Sequence, residues 1–302
     1  MNADKLRSLV LVWMAMLILS VSMFGQTPST IVTEKPHLIL SASGIESLRL
    51  ESKLMGRSMP YRVILPNGYA EVKGSSQRYA VIYLLHGLTG HYTNWTDKTK
   101  LAEYTADHTF IIVTPEGDNG WYTDSGSTPN DKYESYVMQE LIPEIDAKFR
   151  TLADREHRVI AGLSMGGYGS IKFGLKYADK FSLVGSFSGA LGAASFNGKN
   201  AGAIGKGIDA IYGTDDSEIR KANDIFGLLK TMTPEQIKTL PFIYQSCGTG
   251  DFLADNNRSF HTLMVEKKVL YEFRERPGIH DWIFWDDQVR EFLDVAERRL
   301  KK

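Results

Sequence analysis

Gly162-Leu163-Ser164-Met165-Gly166 sets a serine between two glycines with the spacing G-x-S-x-G. A serine hydroxyl is a weak nucleophile at neutral pH. It needs a base, commonly a histidine that a carboxylate holds in place. Of the seven histidines, only His261 and His280 follow Ser164. A serine, a later acid and a later histidine in that chain order suit acyl transfer through a covalent intermediate. The pentapeptide alone is weak, since it arises by chance in roughly one chain of this size in ten. Its surroundings decide.

Arg158 to Leu163 is an apolar run that reads as a strand, and Ser170 to Ala178 is helix-forming. Strand, tight turn and helix are what a nucleophile elbow requires. The turn forces the serine into a strained backbone conformation, and only small residues fit two positions on either side. The backbone N–H of Met165 then points into the same space as the hydroxyl, at the positive end of a helix.

The other groups take their places from the surrounding strands. Tyr79 to Leu85 is continuously apolar, as for a strand buried on both faces. His86-Gly87-Leu88-Thr89-Gly90 comes directly after it, and this turn can aim the N–H of Leu88 at the serine. Leu88 and Met165 are thus the expected pair of oxyanion donors, with His86 structural. Phe242 to Ser246 reads as a strand, and Asp251 is the first carboxylate beyond it, with Asp255 as the alternative. His280 lies in the loop after an expected last strand, Val269 to Arg274, whereas His261 falls inside an expected helix, Arg258 to Lys267. Position favours Asp251 and His280.

Further expected elements are a hairpin of Ile45 to Lys53 with Met59 to Leu65, a helix from Asn94 to His108, and a strand from Phe110 to Thr114. A helix from Tyr133 to Phe149 carries Pro143, which implies a kink. Leu183 to Ser188 is a strand and Asp287 to Leu300 a closing helix. Strands alternating with helices imply an α/β fold, a mostly parallel central sheet with helices on both faces. Residues 190–235 read as an inserted excursion over the sheet, a lid or insert.

Five stretches together carry a family resemblance. They are Tyr83 to Leu88, Trp121 to Asp124, Gly162 to Gly167, Cys247 to Phe252 and His280 to Trp282. Across roughly residues 45–300 the chain resembles the esterase-D-like branch of the α/β-hydrolases. That branch holds tributyrin esterases, feruloyl esterases, S-formylglutathione hydrolases and antigen-85 mycolyltransferases. The resemblance implies the α/β-hydrolase fold, the triad Ser164, Asp251 and His280, and the same oxyanion pair. It adds Trp121, Tyr122 and Trp282 as substrate-pocket candidates, although such aromatics serve equally as packing.

The chain has 302 residues, 43% hydrophobic and 24% charged, with net charge −1. That balance gives no reason to expect a nucleic-acid partner. Cys247 is the only cysteine, which excludes an internal disulfide, and it reads as a small buried hydrophobe. Lys5 and Arg7 precede a mostly apolar stretch, Leu9 to Phe24. Residues 1–26 therefore read as a secretory signal peptide, residues 27–44 as a linker and N-terminal extension, and residues 45–302 as the catalytic domain. This reading implies secretion or a periplasmic location, without stable membrane association after cleavage. No metal-ligand or dinucleotide motif is present, so neither a metal nor a cofactor is expected.

The leading reading is a secreted serine carboxylesterase acting on short-chain acyl or feruloyl esters, with a small-molecule or polysaccharide ester as substrate. An acyltransferase of the mycolyltransferase type uses the same residues with an alcohol in place of water. An S-formylglutathione hydrolase-like thioesterase fits the motifs too, although export argues against it. A serine peptidase and a non-enzymatic binding module are the remaining readings; an intact triad opposes the last.

Overall fold

The computed structural model describes residues 44–69 and 76–300. The expected signal peptide, and the linker up to residue 43, lie outside them. Eight strands form one sheet: β1 (Ile45–Ser52), β2 (Arg57–Ile64), β3 (Ala80–Leu85), β4 (Phe110–Pro115), β5 (Arg158–Leu163), β6 (Leu183–Phe187), β7 (Phe242–Gly248) and β8 (Tyr271–Arg276). Their spatial order is β1-β2-β4-β3-β5-β6-β7-β8. Only the pairings β1–β2 and β2–β4 are antiparallel. The rest of the sheet is parallel, and the chain order reverses beside β3 and β5.

Every residue of β3, β4 and β5 is buried. Side chains alternate across a strand, so each strand feeds two cores. Val81, Tyr83 and Leu85 enter one apolar cluster; Ala80, Ile82 and Leu84 enter the other. The first cluster takes in Met165, Tyr168, Ile171 and Phe173 of helix Met165–Lys176. The second takes in Val289, Phe292 and Ala296 of helix Trp282–Leu300.

Several expected boundaries move, for local reasons. The stretch from Asn94 is not one helix but Asn94–Lys98, Leu101–Tyr104 and a 3₁₀ turn, Thr105–Asp107. The helix from Tyr133 widens into a π segment, Tyr136–Leu141, before closing as Ile142–Lys148. Pro143 has no N–H for the carbonyl four residues back, which accounts for the widened turn. The helix expected to begin at Arg258 begins at Ala254 and ends with Lys268 in the left-handed region, φ 57°. The N–H of Val269 donates to the Met264 carbonyl at 3.0 Å, so residues 268–269 cap the helix and β8 starts only at Tyr271. The closing helix starts at Trp282 because Asp281 caps it, its Oδ1 accepting from the Phe284 N–H at 3.0 Å.

Residues 190–235 hold a 3₁₀ turn, Ala193–Ser195, and helices Gly202–Tyr212, Glu218–Ala222 and Ile225–Thr231. The buried Arg220 ties them together, donating to the carbonyls of Ala194, Phe196, Gly213 and Thr214 and to Asp209. Tyr168, on the helix behind Ser164, donates to the Asn223 carbonyl at 2.7 Å.

Candidate active site

Ser164 joins β5 to helix Met165–Lys176 with φ 51° and ψ −115°, a conformation that costs a non-glycine residue about 1–3 kcal/mol. The surrounding backbone holds it there. Its N–H donates to the Phe187 carbonyl at 2.9 Å, and its carbonyl accepts from Tyr168 and Ala190, both at 3.0 Å. The flanking glycines are required by close approach. A Cβ on Gly162 would lie 2.5 Å from the backbone of Gly166, and one on Gly166 would lie 2.7 Å from the His86 carbonyl. Backbone atoms cannot yield, so Gly166→Ala is expected to destabilise by about 3 kcal/mol or more. Gly207, in helix Gly202–Tyr212, faces open space. Gly207→Ala should instead stabilise by about 0.5–1 kcal/mol. Chemical denaturation midpoints of the two variants check the pair.

His280 reaches the serine from the opposite direction in sequence. Its Nε2 lies 3.0 Å from Ser164 Oγ, and its Nδ1 lies 2.9 and 3.1 Å from the two oxygens of Asp251. A carboxylate only accepts, so Nδ1 carries the proton and Nε2 is the acceptor for the serine hydroxyl. Asp251 is 5% exposed and also accepts from the Leu253 N–H at 2.8 Å. Burial alone would raise its carboxyl. The His280 N–H, the Leu253 amide and the nearby Ser188 hydroxyl outweigh that and hold it below the usual carboxylate range. The alternatives fall away. Asp255 is exposed and pairs with Arg258. His261 hydrogen-bonds Tyr271 and stacks on Phe273, 4.7 Å between ring centroids. Cys247 is buried and its thiol is pushed up to about 12, chiefly by burial, which leaves it no nucleophilic role.

The turn after β3 lies against the elbow: a Cβ on Gly87 would be 3.3 Å from Ser164 Cβ. Among the described residues the N–H of Leu88 has no acceptor, nor has that of Met165 at the first position of its helix. Two unspent donors beside the hydroxyl suit a developing oxyanion. His86 is fully buried beneath this turn. Its Nδ1 donates to the Gly87 carbonyl at 2.8 Å, and its Nε2 lies 3.0 Å from Glu116 Oε1. Burial raises the Glu116 carboxyl, but His86 and the amides of Asp118 and Tyr92 bring it down to about 2. A carboxyl depressed by folding stabilises above its unfolded value and loses that contribution as pH falls through its folded value. Stability should therefore drop as pH falls from about 4.5 towards 2. Urea midpoints at several pH values check this, and Glu116→Gln should start lower and lose less.

Glu116, His91 and Asp118 also bring ligand-type atoms within 4.8 Å of one another, a cluster that motif reading did not anticipate. Glu116 Oε1 already accepts from the N–H groups of Gly117 and Asp118, and Oε2 from that of Tyr92 at 3.3 Å.

Two of the three aromatic pocket candidates need correction. Tyr122 is fully buried and offers no surface to a substrate. Its hydroxyl donates to the His86 carbonyl at 3.0 Å, so it supports the turn after β3 from behind. Trp121, 3% exposed, packs edge-on against Tyr168. Both adopt positive φ, 51° and 50°. Lys172, itself buried, fixes that strained pair by donating to the Tyr122 carbonyl and to Thr123 Oγ1 at 2.5 and 2.7 Å. Trp282 keeps partial exposure but packs edge-on against Trp95 and Trp285. The rings that do touch His280 are Trp285 and Phe252. Phe252 had a sequence signal, its place beside Asp251, but its exposure is a tertiary fact.

The esterase family model, described as "Putative esterase", matches residues 52–293. An acetyl esterase of Caldicellulosiruptor saccharolyticus is 29% identical over 254 residues, covering 81% of this chain and 95% of that relative. An esterase of Mycobacterium tuberculosis is 35% identical over 278 residues, 84% of this chain; the chain spans 59% of that relative's length. A solved ferulic acid esterase superposes with a TM-score of 0.72 at 27% identity, covering 84% of this chain and 98% of its own. A Staphylococcus aureus S-formylglutathione hydrolase superposes with a TM-score of 0.69 at 26% identity, covering 83% and 98%.

Proposed function

We propose that this chain, which belongs to the esterase family of α/β-hydrolases and is a carboxylic-ester hydrolase, hydrolyses short-chain acyl or feruloyl esters through Ser164, His280 and Asp251. The observation that carries the reading is the unbroken chain of contacts from Ser164 Oγ through His280 to Asp251. Ser164 Oγ attacks the acyl carbon while His280 Nε2 takes its proton. The tetrahedral oxyanion accepts from the N–H groups of Leu88 and Met165. Collapse expels the alcohol, which receives the proton from His280. Water then repeats the sequence and releases the acid. Asp251 stays ionised throughout and stabilises the imidazolium.

Likeness to an acetyl esterase and a ferulic acid esterase supports acetylated or feruloylated polysaccharide as the natural substrate. Likeness to an S-formylglutathione hydrolase supports the thioester alternative. Export weighs against that alternative, because glutathione thioesters are scarce outside the cytoplasm; the basic and apolar character of residues 5–24 supports export. An acyltransferase would use the same residues. The deciding experiment is kcat/KM on acetylated xylan, methyl ferulate and S-formylglutathione, with and without added alcohol acceptor. Thioester turnover faster by orders of magnitude would overturn the substrate and the export readings together.

A further inference from the structure

The imidazole of His280 contacts two aromatic rings of opposite character. Trp285 meets it edge-on with centroids 4.9 Å apart and is 6% exposed. Phe252 has its centroid 4.5 Å away and is 77% exposed. Phe252 belongs to neither apolar cluster. Ile279, packed over Gly250, is also exposed, as is Ile283 at the start of the closing helix. Single exposed apolar residues are ordinary. Phe252 differs, because it stands in ring contact with the imidazole while packing into neither core cluster.

The reaction gives that ring a use. His280 passes its proton to the oxygen that leaves, so the alcohol half of the ester lies within hydrogen-bond reach of Nε2 in the transition state. The acyl carbon is bonded to Ser164 Oγ, with its oxygen turned to the amides of Leu88 and Met165. The exposed ring in contact with that imidazole is Phe252. We propose that Phe252 is a leaving-group platform that favours esters whose alcohol carries an apolar or ring face, such as a sugar or an aryl group. This rests on the ester-hydrolase reading and names the half of the substrate that the platform recognises.

The test uses three acetyl esters: methyl acetate, benzyl acetate and an acetylated methyl xyloside. All three give the same acetyl-enzyme, so only acylation differs among them. In Phe252→Ala, kcat/KM should fall about tenfold on the benzyl and xyloside esters, the scale of losing one apolar contact surface, and less than about twofold on methyl acetate. The deacylation rate, read after a nitrophenyl acetate burst, should not change. Phe252→Trp should restore the wild-type ratio. An equal loss on all three esters would make Phe252 a positioning residue for the imidazole and overturn the platform. So would no loss on any. If wild-type protein turned over none of the three, the short-chain acyl reading would fall and the platform with it.

Discussion

Ser164→Ala is expected to lower kcat by at least about 10⁴-fold and leave the folded state intact. The serine hydroxyl contributes nothing to the fold beyond its bond to His280 Nε2, because the residue's strained conformation is held by its backbone N–H and carbonyl. Alanine can occupy the same φ and ψ at similar cost, so the denaturation midpoint should hardly move. What is lost is the covalent intermediate. A small fraction of turnover should survive, since the amides of Leu88 and Met165 still polarise a bound ester. A fluorophosphonate probe should label wild-type protein at Ser164 and leave the variant unlabelled. Near-normal turnover by purified variant would remove Ser164 from the mechanism.

His280→Ala should be about as damaging, because nucleophile and base act as a unit and neither works alone. Removing the imidazole leaves Ser164 Oγ with no proton acceptor and Asp251 with a buried charge beside a cavity. Asp251→Asn tests the second point: the amide offers its NH₂ to Nδ1, favours the wrong tautomer and should cost about 10⁴-fold in kcat. His261→Ala is the matched control. That histidine bonds Tyr271 and stacks on Phe273, so its loss should cost some stability and little activity. Reversed results for the two histidines would show that the base had been misassigned.

Much of this site was legible in the residues. The glycines around Ser164 announced a turn that only small residues fit, and the elbow has that geometry. Chain order and strand-end position separated Asp251 from Asp255 and His280 from His261, although β8 begins at Tyr271 rather than at Val269. The displacement did no harm, because the loop that carries His280 is anchored at its far end, where Asp281 caps the closing helix. The aromatics were not legible in the same way. Trp121, Tyr122 and Phe252 all sit beside strand ends in sequence, yet the first two are packed inside and the third stands in solvent.

By itself, then, the sequence determined the elements whose signals are local. Uniform apolar runs became strands buried on both faces, and the glycines flanking Ser164 became the elbow, where Gly162 lies against the backbone of Gly166. Only the tertiary structure decided which side chains meet. The hydrogen bond from the Ser164 hydroxyl to His280 spans 116 positions, and the burial of a ring depends on what lies above it. Lys172 shows the same limit. Its helix is plain from composition, but nothing nearby in sequence indicates that its ammonium holds the Tyr122 carbonyl, and with it the strained loop behind the turn after β3. Such contacts are set by packing across the sheet, where burial compels each polar group to find a partner wherever the fold supplies one.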